Sequence, residues 1–390
     1  MSKRIAIVIT HPIQYCAPLF RLLNEENSAI SVKVFYTLSQ GQEKLHDPDF
    51  GLSFQWDIPL LEGYEYTFVN NVSKNPGTRH FRGIVNPTLN NEITNWNPDA
   101  ILVFGWAFIS HLKVLLHFYG KIPILFRGDS NLIDEPRGFS LKKVLRRTFL
   151  TWIYSHINYV LYVGEANRQY YAANGVKSKQ LFFAPHSVDN NRFASQRKDA
   201  TIKAENWRLN LGIKKDDFVF LFAAKLTKKK DPELLIKAFL SLNLPYTKLI
   251  IIGNGELEVE LKQRYQAHAA VFFIPFQNQS SMPSVYRLAN VFILPSKGPG
   301  ETWGLAVNEA MASGLGVIVS DKCGCATDLV NQGKNGYIFN SGNMESLKKC
   351  MRLSLSSYKK LGDYSLQVIQ HYTYADTYKQ LKSMIKKRLF

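Results

Sequence analysis

Short apolar runs separated by helical patterns recur along the whole chain, and this alternation restricts the fold more than any other feature. In the first half the runs are Ile5–Ile9, Ser31–Tyr36, Ala100–Phe104, Ile122–Phe126 and Tyr159–Val163, with helical patterns such as Ala17–Asn24 and His111–Tyr119 between them. In the second half they are Phe218–Ala223, Lys248–Ile252, Val271–Ile274, Val291–Leu294 and Val317–Val319. Helical patterns at Pro232–Leu242, Leu257–Ala269, Met282–Leu288, Leu305–Ser313 and Met344–Leu355 alternate with them. Runs this short fall well below the roughly 18–20 apolar residues that span a bilayer. They read as parallel strands, apolar throughout because helices cover both faces. Strand–helix alternation predicts doubly wound α/β sheets.

A chain of 390 residues exceeds one ordinary core and suits two domains of roughly 150–200 residues each. The reading taken is an N-terminal domain over 1–192, a C-terminal domain over 193–370, and a helical, basic tail at 371–390 that packs back toward the first domain. A polar stretch, Ser195–Asn206, precedes the second block. Residues 37–98 are rich in Asn, Pro, Gly and aromatics and read as a long excursion near a site. Two such halves suggest facing Rossmann-like domains with a cleft between them, and ligands of open α/β sheets sit beyond the carboxyl ends of the strands.

The formal charge is +17, which favours polyanionic partners: nucleic acid, anionic lipid or phosphorylated substrates. Four scattered cysteines suggest reduced thiols and a cytoplasmic setting. Cys323-Gly324-Cys325 lacks a second Cys/His pair at metal spacing and reads as a small-residue loop. The N-terminus enters a short apolar run that reads as a first strand and not as a signal peptide. Leu141–Tyr154 is a basic, aromatic helical pattern. It fits either an interfacial helix on anionic lipid, hence a peripheral contact on the cytoplasmic face of the inner membrane, or a domain helix with a solvated basic face.

The segment Glu301–Gly314 carries the most pointed chemistry. Two glutamates lie eight positions apart, Glu301 in a Gly/Pro-rich loop and Glu309 on an otherwise small, apolar helix. A carboxylate is costly to bury without a partner, so something polar must meet Glu309. Gly304, Leu305 and Ala306 open that helix, where backbone N–H groups and the helix dipole favour a phosphate. Lys225 and Lys230 follow the strand Phe218–Ala223 and can clamp a diphosphate; a solvated lysine-rich loop is the alternative. Gly253-Asn254-Gly255 follows the next strand, where glycines permit close backbone approach to a ligand. Phe276 follows the next run, Val271–Ile274, and is counted with these ligand-site candidates.

These motifs together resemble the retaining GT-B glycosyltransferases of family 4, the glycosyltransferase group 1 type. Glu301 through Gly314 is similar to the family's E-x7-E signature, Lys225 and Lys230 to its basic pair on the nucleotide diphosphate, and Gly253–Gly255 to its glycine turn. Ser284–Val291 resembles the helix and strand before the signature, and Asp328-Leu329-Val330 with Asn335-Gly336 the segment after it. Pro185-His186-Ser187-Val188-Asp189 stands where the family has Pro-Asn-Gly-Val-Asp. The resemblance covers residues 155–350 well and the first half loosely. It departs at Lys225, usually Arg, which keeps the charge and loses the bidentate fork. It departs again after the first strand, where Thr10–Tyr15 replaces a glycine-rich loop.

The resemblance implies a GT-B fold with an acceptor-side N-terminal domain and a nucleotide-sugar-binding C-terminal one. It also implies transfer of a sugar from a nucleotide-sugar, expected to be UDP-linked, to a glycan or lipid-linked saccharide hydroxyl. The expected roles are Lys225, Lys230 and the Gly304–Ala306 amides on the leaving diphosphate, Glu309 on ribose and Glu301 on the donor sugar. His11, Arg127 and Asp129 follow first-half strands and are expected on the acceptor side, with structural roles for each as the alternative. No metal or cofactor is expected beyond the nucleotide-sugar co-substrate, and Asp47-Pro48-Asp49 is read as turn chemistry and not as a metal-binding DxD. The rival readings are a non-transferring GT-B sugar-nucleotide epimerase and, from charge alone, a basic nucleic-acid-binding protein, for which no compact reader motif is visible.

Overall fold

A computed structural model describes residues 2–25, 29–39, 45–47, 51–136, 138–194 and 198–385. The chain divides into two compact units. Met1–Leu45, Pro59–Pro185 and Tyr374–Phe390 form the first; His46–Ile58 and His186–Thr373 form the second.

The strands in chain order are β1 (Lys3–Ile9), β2 (Ile30–Tyr36), β3 (Leu45–Asp47), β4 (Leu52–Phe54), β5 (Glu65–Phe68), β6 (Ala100–Phe104), β7 (Ile124–Arg127), β8 (Tyr159–Tyr162) and β9 (Leu181–Phe183). Then come β10 (Phe218–Ala223), β11 (Thr247–Ile252), β12 (Val271–Ile274), β13 (Val291–Leu294), β14 (Gly316–Ser320) and β15 (Gly336–Phe339).

In the first unit seven strands pair in the order β5-β2-β1-β6-β7-β8-β9, all parallel. Ile5 pairs with both Val32 and Ala100, and Ile5 through Ile9 are buried, as a strand covered on both faces requires. Ala6 and Val8 share one core cluster with Val114, Leu115 and Phe118 on one helix and Leu150 and Ile153 on another. The C-terminal helix Tyr374–Met384 belongs to this unit. It buries Thr377, Leu381 and Met384 on one face and packs against the helix Ala17–Leu23 and against β9.

In the second unit six parallel strands run β12-β11-β10-β13-β14-β15. Strand order therefore reverses between β10 and β13, the place where open α/β sheets hold their ligands. The core lies between this sheet and helices such as Pro232–Leu242, with Phe220, Phe222, Leu235, Ile236, Leu249 and Ile293 fully buried.

Several elements exceed what the sequence pattern announced. The helix starting at Met344 continues to Ile369, although the sequence turns polar after Leu355. Its second half buries Leu361, Gly362, Ser365 and Ile369, and a Cβ on Gly362 would stand 2.1 Å from the Gly314 carbonyl oxygen. Close packing of small residues, invisible as hydrophobic periodicity, holds this part of the helix. Lys198–Asn210, at the stretch read as a polar connection, is a helix that buries only Ala200 and Ala204. Strands β5, β9 and β15 are short, and no residue of β5 or β9 is fully buried.

Candidate functional site

The loops leaving β10 and β13, the two strands flanking the order reversal, carry the charged residues singled out above. After β10, residues Lys228–Lys230 make a single 3-10 turn, and Asp231 adopts a left-handed conformation (φ 48°) before Pro232 starts a helix. This aims Lys230 at the loop after β13. Its ammonium lies 2.5 Å from a Glu301 carboxylate oxygen, and the Ser296 hydroxyl donates to the same oxygen at 2.8 Å. Glu301 is only 6% exposed and the Lys230 side chain 15%. Burial pushes the Glu301 carboxyl up, but the Lys230 charge and hydrogen bond, the charge of Lys229 and the Ser296 hydroxyl outweigh it and hold the group below its ordinary value. Glu301 is therefore ionised at neutral pH. Backbone bonds stitch the two loops together, with Lys297 N donating to the Lys229 carbonyl at 2.9 Å. Lys225 lies half-buried at the start of the first loop.

Gly304 starts the helix Leu305–Ala312 with φ +102°. A Cβ there would press on the Leu294 side chain at 2.9 Å and stand 3.8 Å from a Glu301 oxygen, so this position takes glycine for both backbone and space. Leu305 and Ala306 therefore present first-turn amides, which have no acceptor within a helix, on the loop that holds Glu301. Further along, Glu309 is 2% exposed, and the polar group that meets it is Tyr286, whose hydroxyl donates to Oε2 at 2.7 Å. Asn308, also fully buried, accepts from the Trp303 indole N–H at 2.8 Å and donates to the His186 carbonyl at 3.1 Å. Both polar side chains of an apolar helix are thus satisfied within the second unit. Sequence reasoning demanded a partner for Glu309 but did not name Tyr286, and it passed over Asn308 and Ser296. Their hydrogen-bonding capacity is the only signal the sequence offers for them.

The Gly253-Asn254-Gly255 turn has a structural reason of its own. A Cβ on Gly253 would stand 2.1 Å from the Ala224 carbonyl oxygen, and one on Gly255 2.6 Å from that of Leu226. The glycines let the turn after β11 lie directly on the loop after β10. Between them, Asn254 accepts from the Leu226 amide through its carbonyl at 2.9 Å and from the Phe276 amide through its side chain at 2.6 Å. One residue thereby fixes the loops after β10 and β12. Phe276 is further packed by a segment from far earlier in the sequence. The Phe54 ring lies 4.7 Å from it and the Trp56 ring 6.4 Å. Asn278 donates to the Gln55 carbonyl at 2.6 Å, and Asp57 accepts from Ser280. The sequence held no signal that residues 46–58 join the second unit.

The other three singled-out residues lie in the first unit. Arg127 ends β7, is buried, and donates to the carbonyls of Ala184 at 2.7 Å and Pro185 at 3.2 Å. Asp129 and Cys16 lie close enough to act on its charge. Arg127 thus holds the backbone at Ala184 and Pro185 in place. His11 follows β1, half-buried, with Nδ1 2.9 Å from the Thr10 hydroxyl, and burial lowers its pKa. A buried histidine that sequence reasoning did not single out, His111, hydrogen-bonds Thr37 through Nε2 at 2.9 Å and the carbonyls of Phe104 and Gly105 through Nδ1. Of the Asp47-Pro48-Asp49 triplet, Pro48 and Asp49 lie outside the described residues. Among the described residues no three His, Cys, Asp or Glu side chains gather as a metal site, and no helix is long and apolar enough to cross a membrane.

Residues 203–368, which contain Lys225, Lys230, Gly253–Gly255, Phe276, Tyr286, Glu301 and Glu309, match the family described as glycosyl transferases group 1. The sulfoquinovosyl transferase SQD2 of Arabidopsis thaliana is 25% identical over 285 residues, 70% of this chain and 52% of that protein. The UDP-Gal:alpha-D-GlcNAc-diphosphoundecaprenol alpha-1,3-galactosyltransferase of Escherichia coli is 29% identical over 179 residues, 44% of each. The chain thus spans about half the length of the curated relatives it matches. Anabaena HepE, solved in complex with UDP and glucose, superimposes with a TM-score of 0.71 at 16% identity, covering 98% of this chain and 99% of that one. Two parallel-sheet α/β domains and this likeness give the GT-B fold.

Proposed function

We propose, from a chain that belongs to the glycosyl transferases group 1 family through residues 203–368, that the protein transfers a sugar from a UDP-linked donor to a hydroxyl of a glycan or lipid-linked saccharide, with retention of configuration, at the cytoplasmic face of a membrane and in cell-surface glycan synthesis. The observation that carries this reading is the buried Lys230–Glu301 pair set beside the N-terminus of the helix Leu305–Ala312, at the strand reversal of the second sheet. A cation, an ionised carboxylate and helix amides at one sheet edge suit a sugar diphosphate: positive groups for the phosphates, a carboxylate for sugar hydroxyls. The complex of Anabaena HepE with UDP and glucose and the galactosyltransferase activity of the Escherichia coli relative support UDP and a lipid-linked acceptor.

In this mechanism Lys225, Lys230 and the amides of Gly304–Ala306 stabilise the charge that develops on the departing diphosphate. Glu309 accepts from the ribose hydroxyls, its carboxylate held by the Tyr286 hydroxyl. Glu301, kept ionised by Lys230, accepts from the donor sugar and fixes its orientation. The leaving phosphate oxygen takes the acceptor proton, so the protein supplies position and charge and no separate base. Three variants test it: Glu301→Gln, Lys230→Ala and Glu309→Gln. Each is expected to lower acceptor-dependent UDP release at least about tenfold, the effect of one lost charge-assisted contact; unchanged turnover in all three refutes the assignment.

A further inference from the structure

The helix Leu141–Tyr154 of the first unit is built the wrong way round for a solvated helix. Its inner face buries Leu150, Ile153 and Tyr154 in the core. Its outer face, where charge is expected, carries Leu141, Val144, Leu145, Phe149 and Trp152 at helical spacing. Leu141 is 68% exposed, Leu145 63%, and Phe149 and Trp152 45% each; Phe139, leading into the helix, is 88% exposed. The stripe continues onto neighbouring elements through ring contacts. Phe149 meets Trp106 at 5.6 Å and Trp152 at 5.9 Å, and His156 links Trp152 at 5.1 Å to the exposed Tyr119 at 4.8 Å. An exposed apolar band of this extent marks an interaction site.

The charges beside the band choose the partner. Residues 138–158 and 109–123, the two segments that form this surface, contain no aspartate or glutamate and six lysines or arginines: Lys113, Lys121, Lys142, Lys143, Arg146 and Arg147. Lys143 and Arg147 are taken by Glu135 at 3.0 and 3.1 Å. Lys142 and Arg146, exposed along one flank of the stripe, have no carboxylate partner among the described residues. Apolar and aromatic side chains with flanking cations match a bilayer interface, where rings enter the headgroup layer and cations meet lipid phosphates. We propose that this face of the first unit docks in the plane of an anionic lipid surface, through Leu141, Leu145, Phe149 and Trp152, with Lys142 and Arg146 against the headgroups. The proposal deepens the membrane placement in the proposed function and is independent of the donor chemistry at the second unit's site.

The test uses the full chain and sedimentation with vesicles of phosphatidylcholine, with or without an equal part of phosphatidylglycerol. The protein is expected to bind the anionic vesicles and to leave them at high salt. Lys142→Ala with Arg146→Ala is expected to weaken binding about 30-fold, from roughly 1 kcal/mol per basic side chain at such a surface. Leu145→Glu with Trp152→Ala is expected to abolish it. All four side chains are exposed, so unchanged melting temperatures show that the variants fold. Equal binding to both vesicle types, undiminished binding by either double variant, or self-association in lipid-free solution that Leu145→Glu abolishes would overturn the proposal, the last by making the face a contact between copies of the chain. UDP binding measured on the same variants separates this outcome from any failure at the donor site.

Discussion

Replacing Lys230 by alanine leaves Glu301 buried with its main counter-charge gone. At 2.5 Å, an effective dielectric of about 20 gives a pair attraction of about 7 kcal/mol before desolvation. Breaking a buried pair by removing one partner costs about 3–5 kcal/mol in practice; with Lys230 itself 15% exposed, the low end, about 3 kcal/mol, is expected. The pH dependence is the more diagnostic part. In the native protein the Glu301 pKa lies below its ordinary value, so its contribution is present above the ordinary carboxylate range and is lost as pH falls through the folded value. In Lys230→Ala, burial dominates and raises the folded pKa, so stability is lost as pH rises through that raised value. The stability gap between the two proteins must therefore be widest near neutrality and close toward acid. Urea unfolding of both proteins at a series of pH values measures it, with Lys230→Ala/Glu301→Gln as the control that recovers most of the loss at neutral pH. A gap independent of pH, or a neutral-pH cost under about 1 kcal/mol, the value of an exposed pair, would refute the reasoning.

Three further outcomes follow. Gly253→Ala sets a Cβ 2.1 Å from a carbonyl oxygen at φ +138°, so the unfolding free energy from denaturant titration should fall by at least the roughly 1–3 kcal/mol of backbone strain, whereas Gly333→Ala, at φ +75° with open space around it, should lose no more than that. Tyr286→Phe withdraws the hydroxyl from buried Glu309 and should cost about 1.5–3 kcal/mol in unfolding free energy while lowering affinity for UDP. Burial lowers the His111 pKa to about 4 against 6.5 ordinarily, so the unfolded chain binds the extra proton between these values. The first unit should then lose up to about 3 kcal/mol as pH falls from 6.5 toward 4, a loss that His111→Gln removes when unfolding is followed against pH.

The strands at the centre of both sheets were legible because burial on two faces leaves an uninterrupted apolar run, as in β1, β10 and β13. The edge strands β5 and β9 were not, since half-covered strands need no such run. The second half of the helix Met344–Ile369 escaped notice because it packs through Gly362 against Gly314 and Gly316, where closeness replaces hydrophobic bulk. At the site, Glu309 could be seen to need a polar partner, since a buried carboxylate always does; Tyr286, 23 positions earlier, becomes that partner only through folding. The glycine turn after β11 was read as room for a ligand, and the structure gives Gly253 and Gly255 a prior duty, room for the β10 loop. The addition of residues 46–58 to the second unit depends on tertiary contacts at Phe276, Asn278 and Ser280 that no local pattern announces.

The central claim is that the β10 and β13 loops hold a UDP-linked donor through Lys230, Glu301 and Glu309. Calorimetric titration of UDP into the native protein and into Glu309→Gln tests it most directly, because the substitution keeps the shape of a buried side chain while removing its charge and one acceptor oxygen. The account predicts saturable binding to the native protein and a loss of at least about tenfold in the variant, one charge-assisted contact. Equal affinity in both proteins, or no binding to the native one, would contradict it.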